Sequence, residues 1–301
     1  MTLKVALALG GGASRGLAHM GVIQALTEAK IPINIIAGVS IGGVIGAIYA
    51  AHPQIDRVIQ NVNAFLDSQD FNQTKLELIQ AGKSQSNGYY EQLKKMVTNG
   101  IFLAISSTRS SFISRETFER NLSHLVPKIG IEDCEIPLGL IGTDLKNGQA
   151  MEFLSGPMME AVMATSAIPG IFPPVKIGGK RYVDGSWLVP VPVELARKMG
   201  ADLVIAVDVA PTMSNLGDST LELSGLDIQL RASEASRMAL KGKCLSQAEV
   251  KIVVDLMDIH WADFTKLDLC VERGYSAARR SLEVIEKALF KKKVGRFFGF
   301  R

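Results

Sequence analysis

The stretch INIIAGVSIGGVIGAIYAA, Ile33 to Ala51, holds one hydroxyl, Ser40, inside an almost wholly apolar run. Together with Ile31 and Pro32 it is free of charge and long enough for a membrane span by length alone. Its interior argues otherwise. Pro32 and Asn34 lie near the start, and Gly38, Gly42, Gly43 and Gly46 follow in quick succession. The run divides into a buried strand, a sharp turn and a buried helix.

Working outward, the pattern reads strand (Leu3 to Leu9), glycine loop, helix (Gly16 to Ala29), strand (Ile33 to Gly38), turn, helix (Ile41 to Ala51). This alternation predicts a parallel sheet with helices on its faces. Residues 55–131 show no clear strand and read as a helical insertion, a candidate cap over a site. Strand text resumes at IPLGLIGTDLKNGQAMEFL, turning at Asn147-Gly148, and again at VKIGGKRYVDG, turning at Gly178-Gly179. A helix, the strand Leu203 to Val209, a polar helix over about 226–248 and the strand VKIVVDL follow. Tyr275, Ala278, Leu282, Ile285 and Leu289 then mark an amphipathic helix. The organisation expected is one α/β domain over 1–290 and a short tail, 291–301.

With 301 residues, 47% hydrophobic and 21% charged, the chain has the composition of a folded globular protein. A net charge of +3 gives no basis for nucleic-acid binding. Cys134, Cys244 and Cys270 are odd in number and widely spaced, which fits reduced thiols in a cytoplasm-like compartment. The apolar N-terminal run is of strand length and enters a glycine turn, so it reads as the first strand and not as a signal peptide.

Gly38-Val39-Ser40-Ile41-Gly42 fits G-x-S-x-G between a strand and a helix. A strand that turns directly into a helix forces its central residue toward strained backbone angles, and bulky neighbours two positions away would collide. Glycines relieve that crowding and set the Ser40 hydroxyl at a helix N-terminus, where free amides favour negative charge. The second loop, Gly10-Gly11-Gly12-Ala13-Ser14-Arg15-Gly16, fails both nucleotide-binding patterns: Arg15 stands where a dinucleotide fingerprint needs glycine, and Leu17 stands where a Walker loop needs lysine. What remains is a set of amides suited to an oxyanion, with Arg15 as a possible contact for an anionic head group.

A serine needs a base. Of His19, His52, His124 and His260, only His260 completes the chain order Ser, Asp, His of a conventional triad. A carboxylate acting directly is the other option, and Asp144, Asp184 and Asp208 all lie near predicted strand ends or turns. Asp184 has the best local chemistry, with Gly185 allowing a tight turn beside it, but spacing leaves the choice open.

LGGGASRG, GVSIGG, ATSAIPGIFPPV and YVDGS, in this order, resemble the patatin-like phospholipases, in particular compact bacterial members related to the neuropathy target esterase group. The resemblance implies a three-layer α/β/α fold with a central mostly parallel sheet. It also implies a dyad, with Ser40 as nucleophile and Asp184 as base, an oxyanion hole from Gly10, Gly11 and Gly12, and hydrolysis of phospholipid or lysophospholipid acyl esters without a metal or other cofactor. The chain departs from the family pattern at Thr165 and Ser186, positions expected to affect substrate preference more than the reacting groups. A triad esterase for small soluble esters and a regulatory protein retaining the fold are the alternatives.

The tail FKKKVGRFFGFR mixes Lys291, Lys292, Lys293, Arg296 and Arg301 with Phe290, Phe297, Phe298 and Phe300. Such a mixture suits an anionic bilayer surface, so a cytoplasmic protein with peripheral contact at the inner membrane is expected.

Overall fold

The computed structural model describes residues 3–74, 111–210 and 225–297. Its strands are β1 (Val5–Leu9), β2 (Ile35–Val39), β3 (Leu138–Asp144), β4 (Gln149–Phe153), β5 (Val175–Ile177), β6 (Lys180–Asp184), β7 (Leu203–Asp208) and β8 (Val250–Val253). They form one sheet in the order β5-β6-β3-β2-β1-β7-β8, with β4 also paired to β3. The stretch from β3 through β2, β1 and β7 to β8 is parallel, and β4, β5 and β6 add the antiparallel hairpins.

Strands β1, β2, β3 and β7 are buried along their whole length, as continuous apolar sequence in a doubly covered sheet requires. The two-residue alternation of β1 divides the core. Val5, Leu7 and Leu9 join the larger core, which includes residues of α1 (Ala18–Glu28), α2 (Ile41–Ala51) and the long terminal helix, while Ala6 and Ala8 face the smaller core with Val193, Leu195 and Ala196. These are the three layers expected.

The terminal helix, Leu267–Phe297, is longer than its Tyr275 to Phe290 repeat indicated, and the first helix starts as a 3-10 turn over Ala13–Leu17. Ile31 to Ala51 is strand plus helix, and no helix among the described residues is long and apolar enough to cross a membrane. In the expected insertion, Ile55–Leu66, Gln69–Asn72 and Arg115–Ser123 are helical, and 75–110 lie outside the described residues. Phe298, Phe300 and Arg301 also lie outside them.

Lys292 and Arg296 pair with Glu249 and Asp202, which precede β8 and β7. The basic tail therefore begins at the N-terminal ends of the parallel strands, opposite the ends from which Ser40 emerges.

Sheet register explains the meeting of two distant segments. One flank of β3 is taken by β4, so β2 and β6 share the other. Val39 pairs with Ile141, and at the next position Gly142 pairs with Asp184. The chain leaves the sheet at Ser40, and β6 arrives antiparallel in the lane β2 vacates.

Candidate active site

Ser40 sits between β2 and α2 with φ 55° and ψ −133°, a backbone conformation that non-glycine residues rarely adopt. The glycines around it are explained by close approach: a Cβ on Gly38 would lie 2.6 Å from the Gly43 Cα, and one on Gly42 would lie 2.4 Å from the Leu9 carbonyl oxygen. The Ser40 amide donates to Thr165 Oγ1 at 3.0 Å, and the Thr165 hydroxyl donates to the Ile141 carbonyl at 2.5 Å. Thr165, fully buried, thus ties the strained turn to β3.

The Ser40 hydroxyl donates to Asp184 Oδ2 at 2.5 Å, and both residues are buried. Asp184 Oδ1 accepts the Ser186 amide at 2.8 Å. The Asp184 backbone is fixed as well, its amide donating to the Ala167 carbonyl and its carbonyl accepting the Thr143 hydroxyl. Burial pushes the Asp184 carboxyl above the ordinary aspartate value, opposed by hydrogen bonds from Ser40 and Ser186 and by the charge of Arg237. A carboxylate so placed is a stronger base than one in water.

The glycine loop is narrower as a donor set than expected. The amides of Gly10 and Gly11 donate to the Val207 and Pro190 carbonyls, at 3.1 and 3.2 Å, so these two are occupied. Gly12 and the first-turn amides of Ile41 and Gly42 have no backbone acceptor among the described residues. Gly11 still packs beside the serine, since a Cβ there would lie 3.2 Å from Ser40 Cβ. His19 Nε2 donates to the Gly10 carbonyl at 2.8 Å, and full burial lowers its pKa to about 4, so this imidazole is neutral and structural.

Arg15 is not at a surface. It is fully buried, and its Nε donates to the carbonyls of Leu256 and Ile259 at 3.2 and 2.8 Å. Its guanidinium ties the loop to the segment before the terminal helix, which assigns it a structural role beside the small cavity it also borders.

His260 stacks on Trp261, and its Nδ1 accepts the Ala262 amide at 3.2 Å, whereas the Ser40 hydroxyl donates to Asp184. Asp144 faces Lys180, and Asp208 forms a buried pair with Lys241 at 2.9 Å. His52 and His124 lie by Glu135 and Asp70. Of the three aspartates left open by spacing, the structure brings Asp184 to Ser40.

Two cavities adjoin the pair. One, of about 130 Å³, is lined by Ser40 and by apolar side chains including Val44, Val62, Phe65, Phe118 and Phe172. The other, of about 30 Å³, touches Gly11, Gly12, Ser40, Asp184, Ser186 and Arg237. Arg237 carries no sequence signal of its own, because its helix reads only as a polar stretch.

The family model described as patatin-like phospholipase matches residues 7–197. The mouse patatin-like phospholipase domain-containing protein 7 is 29% identical over 253 residues, which is 82% of this chain and 16% of that protein. An uncharacterized NTE family protein of Mycobacterium tuberculosis is 31% identical over 206 residues, 68% of this chain and 49% of that one. The chain thus spans half or less of these relatives' lengths. Among solved structures, VipD from Legionella pneumophila aligns over 94% of this chain and 67% of its own at 15% identity and TM-score 0.45. Human GIVD cytosolic phospholipase A2, in complex with methyl gamma-linolenyl fluorophosphonate, aligns over 97% and 60% at 11% identity and TM-score 0.43. On the family-model match, which covers more than half of its residues, the chain belongs to the patatin-like phospholipase family.

Proposed function

We propose that the protein hydrolyses fatty-acyl esters of phospholipids or lysophospholipids through a Ser40–Asp184 dyad. The observation that carries this reading is the buried 2.5 Å hydrogen bond from the Ser40 hydroxyl to Asp184, at a strained strand-to-helix turn that opens onto an apolar cavity. Ser40 attacks the acyl carbonyl as Asp184 takes its proton. The tetrahedral oxyanion is held by the Gly12 amide and the first-turn amides of α2, where the helix N-terminus favours negative charge. Collapse passes the proton to the leaving alcohol and leaves an acyl-serine. Asp184 then takes a proton from water as the water attacks the acyl carbon, and returns it to Ser40 Oγ as the acyl–serine bond breaks and the fatty acid departs.

The larger cavity has room for roughly ten water-sized groups, which fits a substantial part of an acyl chain. A membrane bound through the basic tail would lie at the far end of the sheet from Ser40, so substrate entry and tail contact are separate questions. The test is fluorophosphonate labelling together with fatty-acid release from micellar lysophospholipid, using wild type, Ser40→Ala, Asp184→Asn and His260→Ala. Labelling lost in Ser40→Ala and release lost in both dyad variants is the expected result. Activity retained in Asp184→Asn and lost in His260→Ala would replace the dyad by a triad, and a wild-type protein that neither labels nor releases fatty acid would be a binding protein.

A further inference from the structure

We infer that Arg237 is a specificity-determining residue that binds a phosphate group on the alcohol side of the scissile ester, an inference that rests on the reading of Ser40 and Asp184 as nucleophile and base. An ester whose carbonyl carbon sits at Ser40 must send its acyl chain and its alcohol in different directions. The apolar cavity takes the first. The small cavity, bordered by Gly11, Gly12, Asp184, Ser186 and Arg237, is left for the second.

The cations around this cavity are not equivalent. Arg15 also borders it, but is fully buried with its Nε on two carbonyls. Lys241, on the same helix (Gly225–Ser246), is buried against Asp208 at 2.9 Å and donates to the Ala210 carbonyl at 3.1 Å. Arg237 lies one helical turn before Lys241, so that ion pair anchors the helix face that carries it to the cavity. Unlike those two cations it is only half-buried, and its side chain lines the cavity.

The electrostatics of the pair call for such a cation. An ionised Asp184 repels any anion placed in the small cavity, and a phosphate there would be excluded unless a positive group stood on its other side. The Arg237 charge already acts on Asp184, lowering its proton affinity against the effect of burial. Guanidinium presents parallel N–H donors that match phosphate oxygens, which a neutral glycerol hydroxyl cannot exploit. The proposal therefore separates two ester classes sharing an acyl chain: those with a phosphate on the alcohol and those with a neutral alcohol.

The experiment measures kcat/KM for 1-acylglycerol phosphate and 1-acylglycerol of equal chain length, each diluted in the same neutral detergent micelle. It compares wild type, Arg237→Gln and Arg237→Lys, with fluorophosphonate labelling of Ser40 as the check that each variant is folded and reactive. Removing the charge raises the proton affinity of Asp184 and affects both substrates, so the ratio between them is the readout. Arg237→Gln is expected to lower the phosphate-to-neutral ratio about tenfold or more, chiefly through KM, and Arg237→Lys to restore part of it. Inorganic phosphate added to the neutral-ester assay separates a site for free phosphate from one that requires the lipid: strong inhibition of wild type at concentrations that spare Arg237→Gln would overturn the lipid assignment. An unchanged ratio, or an equal fall on both esters, would overturn the inference while leaving the dyad standing. Loss of labelling and of all ester hydrolysis in wild type would instead remove the reading beneath it.

Discussion

Asp184 reaches Ser40 because it pairs with Gly142, one position beyond the Ile141 that pairs with Val39. The two residues meet end to end in one lane of the sheet, fixed by backbone hydrogen bonds. Their 2.5 Å contact is therefore set by strand register, and side-chain length is critical. Asp184→Glu lengthens the side chain at a backbone position held by that register, so its carboxylate no longer meets the Ser40 hydroxyl in the same geometry, and the variant should lose most activity despite keeping the charge. Asp184→Asn keeps the shape and loses the base, and its kcat should fall by a factor on the order of 10³ or more. Steady-state rates on a micellar ester check both, and near-wild-type activity in Asp184→Glu would contradict the register argument.

The same burial gives Asp184 a pH signature. Its folded pKa is raised, so the unfolded chain gives up this proton more readily than the folded one. Folding is disfavoured progressively as pH rises from the unfolded value, about 3.9, through the folded one, and the cost is constant above it. Asp184→Asn carries no such cost. Its Tm relative to wild type should increase across that window and then level off, as thermal melts at a series of pH values would show. The acid limb of the wild-type rate profile should lie above the ordinary aspartate range.

His19 predicts the opposite slope. Its pKa is lowered from 6.5 to about 4 by burial, so below 6.5 the unfolded state takes up a proton that the folded state refuses. The stability contributed by the neutral ring is complete above 6.5 and lost as pH falls toward 4, a difference of about 3 kcal/mol. His19→Gln places an amide donor near the Gly10 carbonyl and removes the titration. Denaturant unfolding at pH 7 and pH 4.5 should show a smaller loss in the variant than in wild type.

The parts of this molecule that could be read from sequence are those where one local rule acts alone. Continuous apolar runs marked β1, β2 and β7, and glycines flanking Ser40 marked the turn, because crowding at a strand-to-helix corner depends on neighbours in the chain. Asp144 and Asp184 cannot be told apart that way, since they lie on the adjacent strands β3 and β6, and only the register of β2 and β6 along β3 decides which meets the serine. The hydrogen bonds of Arg15 and of the Gly10 and Gly11 amides are not legible for a related reason: their partners at Leu256, Ile259, Val207 and Pro190 are remote in sequence. Arg237 carries no local motif, and its place beside the pair follows from how its helix docks.

The apolar cavity gives a final prediction about chain length. Ile41, Val44 and Ile45 recur at helical spacing on α2 and turn one face into the cavity wall beside the nucleophile. Val44→Phe adds a ring to that wall and fills space that the outer methylenes of a long acyl chain would occupy, while the residues holding Ser40 and Asp184 are on other elements or earlier in the helix. Each methylene denied burial costs about 0.8 kcal/mol of binding, so two or three excluded methylenes correspond to roughly a 10- to 60-fold loss in kcat/KM. The variant should keep most of its rate on a butanoyl ester and lose long-chain esters by about that factor. A chain-length series of 4-nitrophenyl esters measures it, and parallel losses at all lengths would place the acyl chain elsewhere.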